Sequence, residues 1–578
     1  MKKLKTTMKK LIATLLFINI FVALQAQKLE NKIPNTSDIV VVADADNLFK
    51  LINISEIDNS FLGEEMLKVI NRSREKKVSS VGGAGIAIKS NAYYFFERTD
   101  SISYHTFLVK INDKARYQAM LKSRDLKKIK KEQGYSYIQK NSELMLWNNE
   151  FLVFVKGDKH RGYFKQHTER FEKLKQEGQS MYAVKKSLSK KWILQKGFSI
   201  ATNGLLTSIA VNPSFQKAKK RNAVATLWVR NYGELIADVI GSLGRGLKTS
   251  IASLMPQNGE NINGIETVTA SLFFNKKNAN LLLEMTVSDD MKKSFKKIYN
   301  QKMNSTLINS FNHDNALAFW SVSINTEQLL LEYPAMVDKM YGGMFPKFSQ
   351  EISLVGDVLS LIIDEKAMAS LVTGDALFVL NGFEKKQVSY KSYKYDDNYK
   401  RKEITKTKET LMPDFTFMMG SKEEKLLTKL FKLGQKHKLV KGVKNVFELD
   451  VKKAKLPFNV YAVIKNEVLY ITNSKVRAVK LSLGKRSFKI RKHRRLIKKN
   501  SSVLFADVNA LLAHLPKKSF RSTERKMIAF SNDNIQDVRF VVSKMKGNKI
   551  ASKVELNTNG KQENTLKLLF DFINNVAK

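Results

Sequence analysis

The sequence predicts an α+β protein of two tandem related halves, each made of antiparallel sheet with packed amphipathic helices. Three observations predict it. Short segments recur in the same order in both halves, apolar residues alternate along most of these segments, and single amphipathic helices follow paired strands. Residues 40–49 (VVVADADNLF) match 503–512 (VLFADVNALL), with looser copies at 223–236 and 316–330. Residues 146–154 match 463–471 around Asn-Glu turns, and a strand pair plus helix at 265–303 matches 535–576.

Taken in order, a turn at 33–38 leads into a strand at 39–43 and a short helix near 47–52, where Asp46 is expected to be the N-cap. Residues 82–85 are glycine-rich and precede two stretches of strand composition, 86–96 and 105–111, followed by an expected helix at 113–131 with basic faces. Asn148-Asn149-Glu150 reads as a hairpin turn between apolar arms. Strands at 267–274 and 279–286 flank Asn275-Lys276-Lys277-Asn278, and a helix follows with Met291, Phe295, Ile298 and Tyr299 on one face. In the second half, strands at 538–542 and 550–556 precede a helix with Leu566, Leu569, Phe570 and Ile573 on one side. Ser421 and Glu424 have capping-box spacing for a helix through Phe431 that Gly434 would close. Residues 385–410 are rich in Lys and Tyr with almost no aliphatic side chains, so they are expected to be a mobile surface loop. The resulting organisation is a signal peptide at 1–26, a first half at 27–305 and a second half at 306–578.

The leader reading rests on five lysines before an apolar run of about 13 residues, short of the roughly 20 that span a bilayer, and on Ala26 as a small residue suited to cleavage. It predicts export to the periplasm, the outer membrane or the medium, with no transmembrane span after leader removal. With no cysteine, the 578-residue chain has no disulfides, thiolate metal sites or acylated cysteine, so core burial must hold the fold. The formal charge is +46, and without the five leader lysines it is +41. Such a surplus favours polyanions as partners and supports solubility.

The segments at 33–48 and 371–380 and the closing strand pair with its helix at 564–569 resemble the Bacteroidetes domain-of-unknown-function family 4836. The resemblance covers most of the mature chain and rests on hydrophobic patterns. It implies an envelope protein, often a lipoprotein in such families, and supplies no catalytic residues; the lipobox cysteine is missing from this chain.

Candidate chemistry is sparse. Asp44 and Asp46 share a strand face at acid/base spacing, but the repeats carry Asp507 with Asn509 and Ser323 with Asn325, which interchange as caps and not as proton donors. Residues 241–249 (GSLGRGLKT) depart from a phosphate loop because Leu247 intrudes before Lys248 and a helical pattern precedes them. His160 and His167 lie among cations that would repel a metal ion. The most pronounced charge feature is 475–499, with twelve Lys or Arg and no acid. Within it Lys485, Arg486, Lys489, Arg491, Lys492, Arg494, Arg495, Lys498 and Lys499 are the expected polyanion-binding residues. The expected function is that of a non-enzymatic, exported envelope protein that binds or scaffolds, without catalytic, cofactor or metal residues. Its expected partners are anionic lipid head groups or acidic polysaccharide at a peripheral membrane contact, with no specific nucleic acid. The alternative is a hydrolase acting on an envelope polymer.

Overall fold

A computed structural model describes residues 29–72, 74, 77–230, 232, 264–310, 316–341, 364–395, 399–443, 445–449, 458–484, 493–516 and 520–577. The architecture is α+β with antiparallel sheet, as the alternating strand patterns predict. The chain forms two compact units: 1–232 with 267–281 and 562–578, and 233–266 with 282–561.

The first unit contains β1 (Ile39–Ala43), β2 (Ala92–Arg98), β3 (Ile102–Lys110), β4 (Lys130–Glu132), β5 (Tyr135–Lys140), β6 (Glu143–Trp147), β7 (Phe151–Lys159), β8 (Ala225–Arg230) and most of β9 (Ile265–Phe274). Hydrogen-bonded neighbours run β9-β8-β1-β2-β3-β7-β6-β5-β4, every pair antiparallel. β10 (Asn278–Val287) leads from this unit to the second. The second unit contains β11 (Ala318–Ser323), β12 (Asp375–Tyr395), β13 (Arg401–Gly420), β14 (Val440–Val443), β15 (Val446–Leu449), β16 (Val460–Lys465), β17 (Val468–Thr472), β18 (Asn500–Asp507), β19 (Ile535–Ser543) and β20 (Lys549–Thr558). Its order is β20-β19-β18-β11-β12-β13-β17-β16-β15-β14, again antiparallel. From β9 to β4 and from β19 to β14 the order is the same, ten strands on.

Side-chain alternation gives each ladder one buried face. In the first unit Trp228, Val40, Phe95, Thr106, Val155 and Leu144 stand in register across the sheet, each 5% exposed or less, beneath Ile193 and Ile200 of the helix Met181–Thr202. The matching row of the second unit is Phe505, Phe319, Val379, Thr416 and Thr472. A threonine stands fourth in both rows, Thr106 on β3 and Thr416 on β13.

The compact units do not end where the sequence halves do. The helix Asp289–Tyr299, expected with the first half, buries Met291 and Phe295 against Met545 and Ile550 of the second unit. The last helix, Thr565–Ala577, belongs to the first unit: the backbone N–H of Phe61 donates to Asn574 Oδ1 at 2.8 Å, and Lys567 pairs with Glu56 at 2.6 Å. Packing partners, not chain order, set this division. In that last helix Leu566 is buried, whereas Leu569 is 41% exposed.

Three local expectations need correction. The Lys/Tyr-rich segment 385–410 is not a loop: β12 and β13 continue through it in unbroken register from Lys385↔Leu411 to Tyr395↔Arg401. Its β-branched and aromatic residues favour extended backbone, and cross-strand pairs such as Lys385–Glu409 (2.9 Å) and Lys391–Glu403 (2.6 Å) replace a core. The segment at 113–131 forms two short helices, Lys114–Gln118 and Ser123–Leu126, and then β4, because repulsion among Lys127, Lys128, Lys130 and Lys131 opposes a continuous helix. No capping box forms at Ser421: the helix Glu424–Lys436 runs through Gly434, Ser421 Oγ accepts from the Glu423 N–H, and the Glu424 carboxylate accepts from the Glu467 N–H.

The helix Phe61–Asn71 depends on close approach at one glycine. A Cβ on Gly63 would lie 1.9 Å from the carbonyl oxygen of Ile57. Gly63→Ala is expected to cost about 2–3 kcal/mol or more, because backbone must move. Gly162→Ala, with open space around its Cβ, is expected to be neutral or to stabilise by about 0.5 kcal/mol. Guanidinium unfolding midpoints of the two variants check this.

Candidate anion-binding surface

The helix Lys475–Ser482 follows β17, and Ser474 caps it by accepting from the Arg477 N–H at 3.4 Å. Arg477 itself is turned to structure. Its guanidinium donates to both oxygens of Asp414 at 2.7 and 2.8 Å and reaches Thr416 and Thr472 hydroxyls at 3.4 and 3.5 Å. This fork ties the helix to β13 and takes one cation out of the basic run. Lys475 and Lys480 remain exposed, beside the exposed side chains of Val476, Val479 and Leu483.

Lys485, Arg486, Lys489, Arg491 and Lys492 lie outside the described residues. His493 is buried against the rings of Phe319 and Phe505, with centroids 5.1 and 4.4 Å away. The helix Arg494–Lys499 buries Ile497 in the core, with Leu496 packed beside it. Arg495, Lys498 and Lys499 face solvent, and Arg494 is half-buried. Asn500 closes the helix by donating from Nδ2 to the Leu496 carbonyl at 2.7 Å. Lys498 and Lys499 sit in the last turn, where cations offset the negative end of the helix dipole. Of the nine expected residues, the structure therefore places four on this one short helix, three of them exposed.

The paired acids of the recurrent motif are resolved as capping chemistry. Asp44 Oδ1 accepts from the Asn47 N–H at 2.9 Å, Asp507 Oδ1 from the Ala510 N–H at 2.9 Å, and Asn325 Oδ1 from the Gln328 N–H at 3.0 Å. The cap in the first copy is Asp44 and not Asp46, which is exposed in the first helical turn. His160 and His167 flank the short helix Arg161–Gln166. The first is held by Ser103 Oγ (2.7 Å) and the Asp100 carbonyl (3.0 Å), the second lies against the Tyr163 ring. Among the described residues no group of three or more His, Asp or Glu is arranged to hold a metal ion. Residues 241–249 lie outside the described residues. No helix among the described residues is long and apolar enough to cross a membrane.

Sequence reasoning missed a buried carboxyl. Ser323 is not a cap: at the end of β11 its hydroxyl donates to Asp375 Oδ1 at 2.6 Å, while the Asn304 N–H donates to Oδ2 at 3.0 Å. Asp375 is 4% exposed. Burial pushes its pKa up, opposed by hydrogen bonds from Ser323, Asn304 and Gln301; nearby Lys544 is lowered, first by burial and then by Lys302. The group straps residues 301–304 to the end of the β11–β12 ladder. In the first unit the ladder ends one pair earlier, at Ala43↔Ala92, which matches Val322↔Ala376; the positions of Ser323 and Asp375 are held there by Asp44 and Asn91. The partners lie 52 and 71 residues apart in sequence, too far for spacing to reveal them.

No protein-family model and no curated protein matches the chain. Among solved structures it is similar to crystal forms of TP0453. Form I aligns with TM-score 0.23 and 10% identity over 46% of this chain and 80% of that one, and form III with 0.24 and 11% over 47% and 87%.

Folding raises the pKa of Asp375, so the stabilisation from its proton is fully present below the ordinary carboxylate range and is lost as pH rises through the raised value. In paired urea titrations, wild type should lose stability relative to Asp375→Asn as pH rises from ~4 toward neutrality, by ~1.4 kcal/mol for each tenfold weakening of the carboxylic acid on folding. Removing the Asp414 fork by Arg477→Ala should cost about 1.5–3 kcal/mol in the same assay, whereas loss of an exposed cation such as Lys480 should change stability by less than about 0.5 kcal/mol.

Proposed function

We propose that this is an exported, non-enzymatic protein of the cell envelope that binds polyanions through its second unit. The observation that carries the reading is the placement of Arg495, Lys498 and Lys499: exposed together on a helix that Ile497 anchors to the core, within 475–499, which contains no acid. A cation held on a fixed element loses less freedom on binding than one on an unanchored chain, and clustered cations release condensed counterions from a polyanion. The basic leader region and the overall surplus of positive charge support export and electrostatic attraction to anionic lipid head groups or acidic polysaccharide. We also infer that one ancestral unit was copied head to tail; the same strand order in both units supports this.

The triple variant Arg495→Ala, Lys498→Ala, Lys499→Ala tests the binding surface. It should elute earlier from immobilised heparin and bind anionic vesicles more weakly, with the log–log salt slope reduced by about two to three. Unchanged elution and vesicle binding, with an unchanged thermal midpoint, would overturn the assignment.

A further inference from the structure

The β12–β13 hairpin leaves the body of the second unit as a two-stranded arm, and the arm has two chemically different faces. Directly opposed residues of an antiparallel ladder share a face, and faces alternate along each strand. One face holds the pairs Lys386↔Thr410, Val388↔Lys408, Tyr390↔Lys406, Ser392↔Ile404 and Lys394↔Lys402. It carries five lysines and no acid. The other face, Lys385↔Leu411 to Tyr395↔Arg401, carries three cations against two acids. There Glu409 pairs with Lys385, Glu403 pairs with Lys391, and Arg401 covers the Tyr393 ring with its guanidinium carbon 3.4 Å from the centroid. The second face neutralises most of its own charge, and the arm's positive charge is concentrated on the first.

We propose that this acid-free face of the arm, Lys386, Lys394, Lys402, Lys406 and Lys408 around Tyr390, is a binding surface for a linear acidic polysaccharide lying along the hairpin. From Lys386 to Lys394 the face extends about 26 Å at ~3.3 Å per residue, and same-face positions repeat every ~7 Å. That is a line of positive charges. Tyr390 is 41% exposed in the middle of the line, with Lys408 Nζ 5.5 Å from its ring centroid. An exposed ring flanked by cations takes the apolar face of a sugar while the ammonium groups meet its carboxylates or sulfates. Lys386 also leans toward Glu384 at the root of the arm (3.6 Å), which marks where the acid-free face begins.

Other polyanions fit less well. A single-stranded nucleic acid needs a succession of rings for its bases, and this face offers Tyr390 alone among Val388 and Ile404. An anionic bilayer needs a cluster of bulky apolar groups to enter the interface, and the sequence joining the two strands contains Asp396 and Asp397, which such a surface repels. Lysine in place of arginine suits dispersed charges rather than the bidentate capture of one phosphate.

The Arg494–Lys499 helix contributes nothing to this face, so the two surfaces can be tested separately. The test uses the mature full-length chain with all five face lysines changed to Gln, and a control in which Lys385, Lys391 and Arg401 become Gln. The probes are heparin oligosaccharides and alginate, compared with phosphatidylglycerol vesicles and a single-stranded DNA oligomer. The five-lysine variant is expected to bind both polysaccharides at least about ten-fold more weakly, with a salt slope smaller by about three to four, while the control stays within about two-fold of wild type. Tyr390→Ser should weaken binding at high salt, where charge contributes least. Should circular dichroism show that the five-lysine variant disturbs the fold, replacing residues 386–410 by an Asn-Gly turn removes the arm outright and must give the same loss. Equal polysaccharide binding by the five-lysine variant and the control overturns the proposal, as does a larger loss toward vesicles or DNA. Loss of polysaccharide binding in the Arg495/Lys498/Lys499 variant with retention in the arm variants overturns this proposal and leaves the helix reading in place. Retention in both overturns both.

Discussion

Burial of one face of an antiparallel ladder is the constraint on which each unit depends. Side chains alternate with period two, so a slip of one residue would move Val40, Phe95 and Trp228 into water, and Phe319, Val379 and Phe505 with them in the other unit. Register is therefore fixed at the body of each sheet, and everything attached inherits it. The β12–β13 arm shows the consequence. Beyond the irregularity between Leu380 and Gly382 the ladder continues without a core on either side, yet Lys386, Lys394, Lys402, Lys406 and Lys408 still fall on one face. The cross-strand ion pairs of the arm support that selection. It follows from pairing set at the buried root.

The same logic orders the charges. Acids number 54 against 100 Lys and Arg, and many of the acids are used as ties. Glu97 holds Lys196 at 2.5 Å, Asp125 holds Lys140 at 2.7 Å, and Asp414 holds Arg477. The Lys140 hydrogen bond keeps the Asp125 carboxyl below its ordinary range. Each tie removes one cation from the set that can attract a ligand, so the external field comes from the lysines left over. Those are concentrated where acids are absent from the sequence, at 475–499, or where the ladder turns acids to the opposite face, on the arm.

Much of the frame was legible in the sequence, because strands that pack on one face must alternate and turns between them must carry Asn, Gly or Lys. The strand ends at Asn148-Asn149-Glu150, Asn275–Asn278 and Lys546-Gly547-Asn548 fall as read, and so does the capping role of the Asp-containing motif, although the first cap is Asp44. The arm was not legible, since a ribbon that buries nothing lacks the apolar count by which strands are recognised; cross-strand ion pairs and Tyr, Thr and Val propensity sustain it instead. Of the residues proposed to bind anions, the four on the Arg494–Lys499 helix were picked out in the sequence by charge alone. Charge did not reveal that Arg477 is consumed by Asp414, a partner 63 residues away that only the fold brings near. Ser323 and Asp375 escaped for the same reason.

Equivalent positions then mark where the two units differ in chemistry. Both have the same strand order, and both bury a threonine at the fourth place of the core row, Thr106 and Thr416. At the end of the first strand pair, however, the positions held by Asp44 and Asn91 in one unit hold Ser323 and Asp375 in the other, and the hairpin that is 7 and 9 residues long in β2 and β3 is 21 and 20 in β12 and β13. A frame held by buried apolar rows tolerates such additions, because the extra residues extend a ladder already in register and disturb no core contact. Added length with no core to build is under no packing constraint, so its residue types are free to answer to something outside the fold. The two faces then divide the work: the ion pairs of Glu409 and Glu403 help hold the ribbon, and the five lysines of the other face, which hold no cross-strand acid, are the ones on which the proposed polysaccharide surface rests.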